Sequence, residues 1–184
     1  MAFTTKFNSS TNGVSQNGSH WCIPASIENL LRAEGVNSIS QEDLIYEFFV
    51  RNVKDLQSNN GVVSVSSIPK DTLLAAFRNK PIPGASFQTF APVANAMLKA
   101  GNHSIELDYV DNINDQSVYV EKLVSIIEQD KPVLIAAQSP GGFHITICYE
   151  CDGTSIKSYD PEQDLHLTDK VSNYKFSHDM LFIK

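Results

Sequence analysis

A thiol nucleophile, a base to take its proton and a group that orients the base are built from cysteine, histidine and a carboxylate or amide. Cys22 stands in Gln16-Asn17-Gly18-Ser19-His20-Trp21-Cys22-Ile23-Pro24-Ala25-Ser26. A cysteine taken at random is most often a small buried hydrophobe. Its position argues the other way here, because a helix reads from about residue 23 onward. A helix start presents unpaired N–H groups and partial positive charge, both of which favour thiolate over thiol. Of the five histidines, His20 lies close to Cys22 but in an irregular stretch that would fix it poorly, and His103, His166 and His178 fall in segments that read as loops or exposed strand ends. His144 follows Ser139-Pro140-Gly141-Gly142-Phe143 and opens the alternating run His144-Ile145-Thr146-Ile147-Cys148-Tyr149, so a strand would hold it at a sheet edge. Asp152-Gly153 is a hairpin signal. Pairing symmetric about it sets His144 opposite Pro161 and beside Asp160, where a carboxylate can meet the imidazole.

The elements that would position these groups follow from periodicity. Ile27, Leu30 and Leu31 recur at helical spacing between Pro24 and Gly35, giving a helix over 23–34. Ser40 and Asp43 have the spacing of a reciprocal N-cap ahead of Leu44, Ile45, Phe48 and Phe49. Further helices are expected over 71–78, over 91–100 after the break Pro81-Ile82-Pro83-Gly84, and over 118–129. Beyond them the pattern changes to strands over 104–110, 132–137, 144–149, 155–159 and 180–183. Helices followed by strands and hairpins give an α+β fold, an N-terminal helical part packed on a C-terminal antiparallel sheet. The first 20 residues, rich in Ser, Thr, Asn and Gly, read as an irregular lead-in.

The chain has 184 residues, 42% of them hydrophobic and 19% charged, which suits one globular domain over 1–184. A formal net charge of -7 argues against nucleic acid or anionic lipid as the main partner. Three cysteines make no disulfide framework, so a reducing compartment is expected. Neither a signal peptide nor a membrane span is read in the chain, which places it in the cytoplasm or in export without such a signal. Asn8-Ser9-Ser10, Asn17-Gly18-Ser19 and Asn102-His103-Ser104 match the short glycosylation acceptor pattern, which arises often by chance. Cys148-Tyr149-Glu150-Cys151 has the spacing of redox and zinc motifs, but no second Cys or His pair completes four ligands. Residues three apart on a strand also face opposite ways. No metal or cofactor is expected, and alternation puts Cys148 on the face of His144, lining the site or the nearby core. Trp21 reads as a packing residue beside a cleft, and Glu28, Asp43 and Glu47 as solvated charge on helix faces.

Three blocks resemble the papain-like cysteine peptidases, particularly the bacterial C39-type branch: Gln16 and Cys22 with Pro24-Ala25-Ser26; Lys131-Pro132-Val133-Leu134-Ile135 with Gly142-Phe143-His144-Ile145-Thr146-Ile147; and Asp152-Gly153 with Ser158-Tyr159-Asp160-Pro161. The resemblance implies a papain-like fold, a Cys22-His144-Asp160 triad, and Gln16 as an oxyanion-hole side chain. It departs from the pattern at Ile23, where related enzymes carry an aromatic or a glycine, and it implies nothing about residues 36–130. The activity it implies is hydrolysis of peptide or isopeptide bonds in a peptide or protein substrate. The same triad would also serve an acyltransferase or amide-forming enzyme, and the fold without turnover would be a binding module.

Overall fold

The computed structural model of the chain describes residues 3–5, 7–8, 13–58, 61–139 and 142–184. Ser9 and Ser10 of the first acceptor pattern, and Pro140 and Gly141 at the centre of the expected glycine turn, lie outside these residues, as does the side chain of His178.

The helical part opens with α1 (Cys22–Ala33), whose Ile23, Ile27, Leu30 and Leu31 are buried. It closes at Gly35, where φ is 80° and the Val36 amide reaches back to the Leu31 carbonyl at 3.0 Å. Glycine adopts that left-handed conformation without the strain a Cβ would add. Helix α2 (Gln41–Phe48) starts as its spacing predicts: the Ser40 hydroxyl accepts from the Asp43 amide while the Asp43 carboxylate accepts from the Ser40 amide. Helix α3 is Lys70–Phe77. Helix α4 (Phe87–Ala100) begins four residues earlier than the expected Ala91, because Ser86 and Thr89 form a second reciprocal cap and Pro92 is accommodated inside the helix. Helix α5 (Gln116–Ile127) is started by the Asp115 carboxylate, which accepts from the Ser117 and Val118 amides.

The strands are β1 (Phe3–Thr4), β2 (Asp55–Ser58), β3 (Gly61–Ser64), β4 (Leu107–Val110), β5 (Val133–Ser139), β6 (Gly142–Cys151), β7 (Ser155–Asp160), β8 (Leu165–Lys170) and β9 (Lys175–Ile183). β2 and β3 form a separate hairpin. The others make an antiparallel seven-stranded sheet in the order β4-β9-β5-β6-β7-β8, with β1 on β6. Both faces of its centre are covered. Leu134 and Ala136 of β5 and Ile145 and Ile147 of β6 pack into the core shared with α1, α2 and α4, whereas Val133 and Ile135 face the second core under α5. Double coverage explains why β5 reads as a continuous apolar run rather than an alternating one. Among the described residues, no helix is long and apolar enough to cross a membrane.

The α+β arrangement expected from the order of helical and strand patterns is therefore present. Several features differ from expectation. The β2–β3 hairpin and β8 are additional, and the strand around residue 180 runs back to Lys175. The β6–β7 hairpin also carries a bulge: Ile147 pairs with Tyr159 and Cys148 with Ser158, but Glu150 pairs with Lys157, leaving Tyr149 as the extra residue. The bulge brings Cys148 and Cys151 into the same core under α5. The expectation that residues three apart would face opposite ways fails here because the inserted residue resets the alternation.

Candidate active site

Cys22 is the first residue of α1, and Trp21 precedes the helix as its N-cap. The Trp21 ring is fully buried and its Nε1 donates to the Phe77 carbonyl at 3.2 Å, so it is the packing residue the sequence suggests. It rests against Gly18, where a Cβ would lie 2.6 Å from the indole Cε2 and 2.7 Å from the Arg78 carbonyl oxygen. A glycine is required there to let the indole close over the chain.

β1 apart, the described lead-in over residues 13–20 is irregular in conformation but held in place. The Asn29 side chain grips Val14 at both ends, accepting from its amide at 2.6 Å and donating to its carbonyl at 2.8 Å, and also donates to the Ala25 carbonyl. Gln41 continues the seam: its side chain donates to the Ser15 carbonyl and accepts from the Asn17 amide. Behind it, Glu28 accepts from the Gln41 amide at 2.9 Å and is only 7% exposed. Glu28 is thus a buried anchor rather than solvated charge, because α2 packs over the helix face it occupies. Asp43 and Glu47 are partly exposed and pair with Lys70 and Arg51.

Gln16, placed by this seam, donates its backbone amide to the Pro161 carbonyl at 2.8 Å. One half of the chain is thereby fastened to the loop that carries the acidic residues. The Gln16 side-chain amide nitrogen donates to the Gly18 carbonyl, and its oxygen is buried without a partner among the described residues. Gln16, Gly18, Ser19, Arg78 and Glu162 line one cleft of about 230 Å³.

His144 lies near the start of β6, with its side chain 24% exposed. Its Nδ1 is 4.0 Å from Asp160 Oδ2 and 3.2 Å from Glu162 Oε2. Asp160 ends β7 and is buried; its Oδ1 accepts from the Glu162 amide at 2.8 Å and the Gln163 amide at 3.4 Å, which turns the chain so that Glu162 comes back over the imidazole. Among the described residues, Asp160 Oδ2 has no hydrogen-bond partner. The sequence predicts the meeting of His144 with Asp160 but misses Glu162. The register that brings it there is set by the turn and the bulge together: the turn pairs Cys151 with Ile156 and Glu150 with Lys157, the bulge at Tyr149 takes the ladder back by one residue to Cys148–Ser158 and Ile147–Tyr159, and continuing it sets His144 against Glu162 rather than the expected Pro161.

The Cys22 thiol is half-buried. Burial pushes it above the ordinary thiol value, the Ile23 amide works in the opposite direction, and the Glu162 and Asp160 carboxylates raise it further. The helix start does supply a stabilising amide, but desolvation and two negative charges outweigh it. The expected bias towards thiolate is reversed in the resting site, and the sulfur needs an acceptor for its proton.

The remaining candidates are elsewhere. His166 is exposed on β8 and hydrogen-bonds the Tyr149 hydroxyl at 2.8 Å, and His103 hydrogen-bonds Ser38. His20 is exposed. Cys148 and Cys151 are fully buried and unpaired, and burial pushes both thiols up. Cys148 belongs to the core under α5, not to the site.

Residues 101–179 match a family model described as papain-like cysteine protease AvrRpt2. No match was found among curated proteins. The matched stretch contains His144, Asp160 and Glu162 and leaves Cys22 outside it. Over that stretch, and in its α+β arrangement of helices on an antiparallel sheet, the chain is similar to the papain-like cysteine proteases.

Proposed function

We propose that this protein is a thiol hydrolase that cleaves peptide or isopeptide bonds through Cys22, His144 and Asp160. The observation that carries the reading is the buried Asp160 Oδ2, which has no hydrogen-bond partner among the described residues and lies 4.0 Å from His144 Nδ1. An unpaired buried carboxylate oxygen is costly unless a cation or donor meets it. An imidazolium formed during turnover supplies that charge.

In the proposed reaction the Cys22 sulfur attacks the carbonyl carbon while its proton passes to His144 Nε2, leaving Nδ1–H directed at the carboxylates. The tetrahedral oxyanion is met by the Cys22 backbone N–H and Gln16. His144 then protonates the leaving amine as the C–N bond breaks, and water hydrolyses the acyl-thioester with His144 as base. The raised thiol is compatible with this sequence, since proton transfer to His144 accompanies attack rather than preceding it. The spacing of Gln16 and Cys22 supports a place near the C39-type branch, whereas the matched family model carries the AvrRpt2 description; the chemistry proposed is the same for both.

Replacing Cys22 by Ala is expected to reduce peptide hydrolysis by roughly 10³-fold or more and to abolish a trappable acyl-thioester, with the thermal transition little changed. Undiminished hydrolysis by the folded variant would remove the mechanism.

A further inference from the structure

We propose that His144, Asp160 and Glu162 form a binding site for a divalent transition-metal cation, with Zn²⁺ as its best fit, and that occupancy switches the hydrolase off. The switching rests on the function proposed above; the binding does not.

One ligand atom from each of the three residues lies within 4.8 Å of the others, and two of the separations are 3.2 and 4.0 Å from His144 Nδ1. Metal–ligand bonds of about 2.0–2.2 Å to nitrogen and oxygen put neighbouring ligand atoms about 3–3.5 Å apart, so the cluster needs only a small contraction. Closing the 4.0 Å gap falls to His144, whose side chain is 24% exposed beside the buried Asp160, and Glu162, 41% exposed and already 3.2 Å from Nδ1, can follow it.

The independent sign of a ligand is Asp160. Its Oδ2 is buried, has no hydrogen-bond partner among the described residues and points into the cluster, while Oδ1 is held by the Glu162 and Gln163 amides. That is the arrangement of a ligating carboxylate with one oxygen fixed by outer hydrogen bonds and the other directed at the metal. Two carboxylates and a neutral imidazole match the charge of a divalent ion. The imidazole nitrogen selects a borderline ion such as Zn²⁺ over Mg²⁺ or Ca²⁺, which prefer six or more oxygens.

The consequence for the imidazole is specific. As a base towards Cys22, His144 must hold its proton on Nδ1 and leave Nε2 open. A cation bound at Nδ1 displaces that proton to Nε2, so the nitrogen that should accept the thiol proton already carries one. The carboxylates that would orient the base are at the same time engaged by the metal.

The test uses the full chain carrying Cys22→Ser, freed of metal with a chelator, so that neither the sulfur nor turnover enters the readout. Titration with ZnCl₂ by calorimetry should show one site with a dissociation constant below about 100 μM. Adding Glu162→Gln should weaken it at least tenfold; Asp160→Asn should do the same, and since Asp160 also anchors its loop, the exposed Glu162 keeps the test valid if that variant fails to fold. Bound Co²⁺ should give visible ligand-field bands without thiolate charge transfer. No binding at 100 μM ZnCl₂, affinity unaltered by Glu162→Gln, or a thiolate band, which would put the metal on Cys148 and Cys151, would each overturn the site. In the wild-type protein ZnCl₂ should inhibit hydrolysis at the same concentrations and chelator should restore it. Binding by a wild-type protein that never hydrolyses peptides would uphold the site and strike the hydrolase reading; hydrolysis without binding would do the reverse.

Discussion

Asn29→Ala tests whether the lead-in is held in the way that places Gln16. The Asn29 side chain is fully buried and makes three hydrogen bonds, two to the backbone of Val14 and one to the Ala25 carbonyl, at 2.6, 2.8 and 2.8 Å. A buried intramolecular hydrogen bond contributes about 1 kcal/mol net, and a donor or acceptor left dry costs about 1–3 kcal/mol. Val14 is half-buried, so water can reach part of what Asn29 vacates, and the Ala25 carbonyl keeps its helical role. The expected loss is about 2–4 kcal/mol, read as a lower urea midpoint with an unchanged slope. The segment from Val14 to Asn17 would then be secured mainly by Gln41 and the Pro161 carbonyl, and small displacements of reacting groups are expensive in rate. A peptide-hydrolysis assay should show kcat/KM lower by about tenfold or more, measured well below the unfolding transition. A stability loss under about 1 kcal/mol, with kcat/KM intact, would refute the idea that this clip positions the segment.

Gly18→Ala should destabilise the fold by about 1–3 kcal/mol, because the new methyl meets a buried indole and a backbone carbonyl at 2.6 and 2.7 Å; chemical denaturation measures it, and a neutral result would mean Trp21 can repack. With iodoacetamide, the native protein should lose one thiol, Cys22, at a rate still rising above the ordinary thiol pKa, since burial and the nearby carboxylates hold its proton on. Peptide mapping should find Cys148 and Cys151 modified only after denaturation, and their labelling in the native state would contradict their burial. Asp43 gives a pH effect of definite sign: burial raises its carboxyl, hydrogen bonds from Lys70 and Ser40 outweigh this, and the folded value lies below the ordinary one. The stability it contributes is present above the usual carboxylate range and is lost as pH falls through the lower folded value. Melting temperatures of Asp43→Asn should therefore fall less steeply on acidification than those of the parent, and parallel curves would count against the linkage.

What could be read in the residues was local. The Ser40–Asp43 cap, the apolar stripe of α1 and the run that became β5 each identify their element through contacts within a few residues. The early start of α4 was obscured by Pro92 and by the Pro81–Gly84 break, although Ser86 and Thr89 form a short-range cap. The β2–β3 hairpin and β8 are mostly exposed, so burial imposes little apolar alternation on them. Glu28 shows the limit of face assignment: a helix face reads as solvated until another element is known to cover it. The site repeats the pattern. His144 and Asp160 follow from strand and hairpin geometry, but Glu162 depends on a one-residue bulge, and the state of Cys22 depends on desolvation and on charges far along the chain.

The bulge at Tyr149 makes the identity of the orienting acid a matter of counting. Strand β7 delivers Asp160 and Glu162 to the imidazole through its alignment with β6, which the turn and the bulge set together, so a change of length in one strand that the bulge does not absorb would slide the acidic loop past His144 without altering any reacting group. Related hairpins could exchange one acid for the other through a change in length, and aligning them by residue type alone would pair positions that do not occupy the same place in space.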